Sequence, residues 1–154
     1  MKKIVIAVGS LILCLLVITA PNSAFSEGIN WQSYDKGLAM AKAQNKKIFL
    51  YFHADWCHYC KKMKKTTFKN PNLINYLNKH FISIMVNVDK EKKVAKFYRV
   101  RGLPTLWFLK DDNTKLSRIP GFVEAGALIN ILKYINTESY IKMSFKDFLK
   151  TIWN

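Results

Sequence analysis

Phe52-His53-Ala54-Asp55-Trp56-Cys57-His58-Tyr59-Cys60-Lys61 is the stretch whose reading decides the fold, because two different patterns meet in it. Upstream, Ile48 to Phe52 is a continuous apolar and aromatic run, which reads as a strand buried on both faces and hence central in a sheet. Downstream, Cys57 to Met63 lacks Gly and Pro and is rich in helix formers, so a helix begins at or near Cys57. Both cysteines then fall on the first helical turn, with their sulfurs close enough to bond.

That placement makes the two sulfurs chemically unequal. Cys57 meets unpaired backbone N–H groups and the positive end of the helix dipole, and Lys61, Lys62 and a protonated His58 add positive potential. Thiols in such settings have pKa values of roughly 3.5 to 7.5, against about 8.5 for a free cysteine. Cys57 is therefore the expected nucleophile. Cys60, one turn deeper, is the expected resolving thiol that displaces whatever Cys57 captures. This chemistry needs no metal and no organic cofactor.

Three competitors stand beside it. Half a zinc site would need a second cysteine pair, and His53, His58 and His80 are not spaced to supply the missing ligands. Haem attachment would need a histidine where Lys61 stands. An inert structural disulfide closing so short a loop contributes modest stability. Redox exchange is the reading that this spacing favours.

Outward from the cysteines, Trp31, Tyr34, Leu38 and Ala41 recur at helical spacing between Trp31 and Lys47. Asn70-Pro71 interrupts the cysteine helix, and Leu73, Ile74 and Leu77 form the stripe of another. Phe81 to Val88 is a strand, and Glu91 to Tyr98 a helix expected to face Val94, Phe97 and Tyr98 inward. After Arg101-Gly102-Leu103-Pro104, the strand Thr105–Leu109 turns at Asp111-Asp112-Asn113 and returns as Lys115–Ile119, which Gly121 breaks. Glu124 to Asn136 is a helix with Leu128, Ile131, Leu132 and Ile135 on one face. A last helix over 144–153 has Ser144 as its cap with Asp147 three residues on, and Phe145, Phe148, Leu149 and Ile152 on one side. Strand-helix-strand units followed by a hairpin give an α/β fold, a mixed sheet with helices on both faces.

At the N-terminus Lys2 and Lys3 precede an apolar run, Ile4 to Ala20, and Ala24-Phe25-Ser26 offers the small-x-small pattern of signal cleavage. Residues 1–26 read as a secretory signal, leaving 27–154 as one domain. A retained anchor is the other reading, since the run of about seventeen residues is at the short edge of a membrane span. Either way the globular part lies outside the cytosol, in a periplasmic or other extracytoplasmic setting. Loss of Lys2, Lys3 and Cys14 with the signal leaves 23 basic residues against 10 acidic and a single cysteine pair, which an exported protein can keep as a disulfide. The lysines are scattered and no nucleic-acid motif accompanies them, so the charge reads as solvated surface rather than a nucleic-acid site.

The string from Phe52 to Lys61 resembles the active-site turn of thioredoxins, and Arg101-Gly102-Leu103-Pro104-Thr105 resembles their second landmark. The resemblance covers about Lys47 to Ile135, with Val88-Asp89 and Gly121 also in similar places. It implies a thioredoxin fold, a cis Pro104 lying against the cysteines, and Leu103 offering backbone hydrogen bonds to an extended substrate. Trp56, His58 and Tyr59 border the same groove. The upstream helix, the Lys-rich turn before the first strand and Thr67-Phe68 look more like the exported, SoxW-type subgroup. That narrower likeness implies a periplasmic or cell-surface reductant, serving cytochrome maturation or sulfur metabolism. Two departures stand out. Tyr51 occupies the position of the family's buried acid, and His58-Tyr59 replaces Gly-Pro. A residue such as His58 that stabilises the thiolate favours the reduced form and so makes a more oxidising protein.

The sequence thus leads to a thiol–disulfide oxidoreductase acting on protein thiols and disulfides, net reductive, served by a membrane or soluble electron-transfer partner and tethered if the leader is retained. An oxidase or isomerase of the same fold, and a non-catalytic binding module, are the alternatives. His53 and His80 read as structural.

Overall fold

The computed structural model describes residues 28–153. Along the chain run β1 (Trp31–Gln32), α1 (Tyr34–Gln44), β2 (Lys47–His53), α2 (His58–Lys65), α3 (Pro71–His80), β3 (Phe81–Asn87) and α4 (Lys92–Phe97). They are followed by β4 (Thr105–Leu109), β5 (Lys115–Pro120), α5 (Ala125–Asn136) and α6 (Phe145–Trp153). Short 3-10 turns occupy Thr67–Lys69 and Ser139–Ile141.

One mixed sheet has the order β1-β3-β2-β4-β5. β1 and β2 are parallel to β3, while β4 is antiparallel to both β2 and β5. β2 is the central strand, as its unbroken apolar run requires, and its side chains divide between two cores at the period of two that a pleat imposes. Phe49 and Tyr51 join Met63 of α2, Leu73 and Leu77 of α3, and Leu128 and Leu132 of α5 on one face. Ile48, Leu50 and Phe52 join Ala41 of α1, Ile84, Val86 and Tyr98 on the other. Gly37 lets α1 approach the second face closely, for a Cβ there would overlap the Ile84 side chain.

Local chemistry sets the helix ends. Asn45 adopts a left-handed conformation (φ 51°) that stops α1. Asn70 accepts from the Leu73 N–H at 3.1 Å, with Pro71 in the first turn, and so starts α3. Ser144 accepts from the Asp147 N–H at 3.2 Å and donates to its carboxylate at 2.6 Å, the reciprocal cap expected for α6. Phe145 and Phe148 pack on Tyr134 of α5, while Ile152, expected on the same side, is exposed.

Two expectations are corrected. Trp31 belongs to β1, paired with Ser83, and not to the first helix. Its ring packs on Phe49, Tyr51 and Phe68, and this aromatic contact takes the place of a helical turn. Phe97, expected to face inward, is 62% exposed. Phe97 ends α4, and Tyr98, its C-terminal cap residue, takes the inward place beside it. Among the described residues no helix is long and apolar enough to cross a membrane. The leader, residues 1–26, lies outside the described residues.

Candidate active site

β2 ends at His53, four residues before Cys57, so the central strand delivers the first cysteine to the end of the sheet. Cys57 is the cap residue of α2, with extended backbone, and its Sγ accepts from the Cys60 N–H at 3.1 Å. One of the helix's unpaired donors is thus aimed at the sulfur that is to carry charge, which favours thiolate once the pair is reduced. Cys57 and Cys60 are joined as a disulfide with Cα atoms 5.2 Å apart. They are 5% and 1% exposed, so of the two Cys57 is the more open to solvent. No acidic residue lies in the first turn of α2, and Lys62, Lys64 and Lys65 crowd its last turn.

The second landmark comes to the same end of the sheet. Thr105 pairs with Phe52, so Pro104, immediately before it, leaves β4 where the Cys57 turn leaves β2. The Leu103–Pro104 peptide is cis. The Pro104 carbonyl accepts from the Gly121 N–H at 2.7 Å, and the Thr105 hydroxyl donates to the Gly102 carbonyl at 2.7 Å. Gly121 does this at φ 92°, a region that disfavours side chains. Leu103 is half-buried and packs on both cores.

Around the cysteines, Trp56 and Tyr59 are 69% and 56% exposed, and His58 is exposed with its ring 5.6 Å from that of Tyr59. Trp56 Nε1 donates to Asp89 at 3.0 Å, and Asn87 donates to Asp55 at 3.4 Å. Phe122 lies 6.4 Å from Tyr59 and receives the Lys62 ammonium over its ring at 4.5 Å. Nothing in the sequence around Phe122 marks it for this site; its position after the Gly121 turn brings it here.

Beneath the pair, the place of a buried acid is taken by a phenol. Tyr51 is fully buried and its hydroxyl donates to the Cys60 carbonyl at 3.4 Å. Burial pushes its pKa well above the ordinary tyrosine value, so it stays a neutral donor. His53 stacks on Tyr51 with ring centroids 5.6 Å apart. Its Nδ1 lies 3.3 Å from the Lys64 ammonium. Burial, and after it the Lys64 charge, holds the imidazole below its ordinary value, which leaves it neutral and able to accept from Lys64. His80 is separate, its ring tilted against that of Tyr76 on α3, centroids 4.5 Å apart. Among the described residues no cluster of three or more His, Cys, Asp or Glu is placed to hold a metal ion.

Residues 34–136 match the family model described as thioredoxin-like domain. A thiol:disulfide interchange protein DsbD from Photorhabdus laumondii is 32% identical over 101 residues, covering 62% of this chain and 17% of that protein. The chain spans about a fifth of the length of the curated relatives it matches. Among solved structures, a thioredoxin from Thermus thermophilus superposes with a TM-score of 0.65 at 27% identity, covering 70% of this chain and 87% of that one. A thioredoxin-fold protein from Helicobacter pylori gives 0.63 at 18% identity, covering 84% and 89%, a likeness of fold.

Proposed function

Since this chain belongs to the thioredoxin-like family and carries its thiol–disulfide oxidoreductase fold with a bonded Cys57–Cys60 pair, we propose that it reduces disulfides of protein substrates outside the cytosol. The observation that carries the reading is the Cys60 N–H directed at Cys57 Sγ on the first turn of α2.

In the reduced protein the Cys57 thiolate attacks one sulfur of a substrate disulfide, forming a mixed disulfide as the other substrate sulfur leaves as thiolate. Cys60 then gives up its proton, and its thiolate attacks Cys57 Sγ. The Cys57–Cys60 bond closes, the second substrate thiolate departs, and two electrons have passed to the substrate. A dithiol partner, membrane-bound or soluble, must return those electrons by the same exchange. Pro104 and Leu103 shape the groove for the extended substrate, with Trp56, His58 and Tyr59 at its border. Residues 1–26 act as the export signal or, if retained, as a tether. A role as a reductant of the SoxW type, in cytochrome maturation or sulfur metabolism, fits this setting.

A Cys60→Ala variant tests the mechanism by arresting it at the mixed disulfide. Partners released only by added thiol are expected, together with loss of insulin reduction in Cys57→Ser. A Cys57→Ser protein that still reduces insulin would overturn the reading. Oxidation is the second reading, favoured by the absence of a carboxylate beneath Cys60 and the presence of Lys64. A pair potential near about −120 mV, that of the strongest protein oxidants, would select it.

A further inference from the structure

A cleft of about 520 Å³ opens on the α4 side of the β4–β5 hairpin, lined by Phe97, Tyr98, Arg99, Trp107, Lys115 and Arg118. The lining holds three cations and no carboxylate. Regular alternation would put Lys115 and Arg118, three residues apart, on opposite faces of β5. A bulge prevents this. Phe108 pairs with Ser117 but Leu109 pairs with Lys115, so the register slips by one residue and Lys115 is turned to the face that Arg118 already occupies opposite Trp107. Bulges re-aim side chains in this way.

The result is an ordered set of charges on an aromatic floor. The Lys115 ammonium sits 4.3 Å from the Phe97 ring centroid, 4.9 Å from that of Tyr98 and 5.5 Å from that of Trp107. The Arg118 guanidinium lies 5.8 Å from Trp107. The rings fix where the cations stand without neutralising them. Neither of the ion pairs among the described residues involves Arg99, Lys115 or Arg118. Trp107 Nε1 is buried and has no hydrogen-bond acceptor. Positive charge therefore converges on a cleft whose lining side chains include no carboxylate.

Two positions tie the cleft to the end of the sheet that carries Pro104. Arg99 belongs to the connection that ends at Leu103-Pro104, and Arg118 stands two residues from Pro120, the partner of Thr105, a separation of about 7 Å along the strand.

We propose that this cleft recognises carboxylate side chains of an acidic segment flanking the substrate disulfide, so that acidic proteins are the preferred substrate class. The inference rests on the disulfide-reducing reading and adds to it a choice among substrates. Cation-lined surfaces act mainly by raising encounter and register with anionic partners, and their effect is screened by salt.

The test uses the full chain, pre-reduced and held in neutral detergent, with two synthetic peptides that each contain one internal disulfide. One peptide carries glutamates on both sides of the disulfide and the other carries glutamines. At low salt the glutamate peptide is expected to show a kcat/KM about tenfold higher, mostly through KM, and the advantage should vanish near about 0.5 M salt. The double variant Lys115→Gln, Arg118→Gln should lose that advantage while reducing the glutamine peptide normally, its fold checked by thermal melting. Should the double variant not fold, the single variants Lys115→Gln and Arg118→Gln are measured in its place, each expected to lose part of the advantage. Equal rates for the two peptides, or an advantage that survives salt or the folded variant, would overturn the proposal. Reduction of neither peptide would overturn the underlying reading and this inference with it.

Discussion

The Lys64 ammonium lies 3.3 Å from Nδ1 of a His53 ring that is stacked on Tyr51, and Lys64 stands one turn after Cys60 on α2. A neutral imidazole thus holds a cation one turn beyond Cys60 on α2, and the position beneath the cysteines that the thioredoxin resemblance gives to an acid is Tyr51. Side chains at i and i+4 are neighbours on a helix, about 5–6 Å between Cβ atoms. A held cation favours thiolate, and so stabilises the reduced pair. Lys64→Met should therefore make the pair more reducing, by roughly 30 mV or less, equivalent to at most a tenfold change in its equilibrium with glutathione. Equilibration in glutathione buffers measures this. An unchanged or less negative potential in a folded variant would contradict it.

The same histidine makes folding stability pH-dependent. His53 is held below the ordinary imidazole value by burial and the Lys64 charge, and His80 by burial with Lys79 and Lys46. Unfolded imidazoles take up protons near pH 6.5, where the folded ones resist them. The unfolded state binds more protons in that window. Stability is then fully present above about pH 6.5 and falls as pH drops through the folded values. Urea midpoints across this range should show the fall, and His53→Phe, which keeps a ring on Tyr51 but cannot titrate, should lessen it and leave the part due to His80.

How much of this was legible in the sequence depends on the range over which each feature is specified. β2, the cysteine helix, the break at Asn70-Pro71 and the Ser144 cap are set by neighbours within a few residues, and they appear where patterning put them. Trp31 does not, because its strand exists only through pairing with Ser83, which is distant in the chain. Phe97 and Lys115 were obscured for a related reason. A short helix and a one-residue bulge each decide which face a side chain takes, and periodicity cannot supply that phase. The cysteines and Pro104 could be read from motifs, whereas the Lys64–His53 contact and Phe122 required the helix to be laid on the sheet.

Close packing of α1 on the sheet gives a further expectation. Gly37→Ala would drive a methyl into Ile84 and should cost about 1–3 kcal/mol by chemical denaturation. Combining it with Ile84→Ala should cost less than the two changes added separately, since the second opens the space the first needs. Strict additivity would show that the helix shifts instead.

Tyr59 projects into solvent beside the disulfide, where it contributes little to the core. Tyr59→Ala should leave thermal stability within about 0.5 kcal/mol of the parent, as for ordinary surface changes. It should raise KM for insulin severalfold while kcat changes little, because the ring borders the groove without touching the electron path. A fall in kcat with KM unchanged would assign it a different role.

The central claim is that one sulfur is kept ionised near neutrality by the start of α2. The rate of iodoacetamide alkylation of Cys57 in a reduced Cys60→Ala protein, followed against pH, reports that ionisation directly. An inflection below about pH 7.5 is the expected result, and an inflection at about 8.5, where a free thiol titrates, would contradict the account.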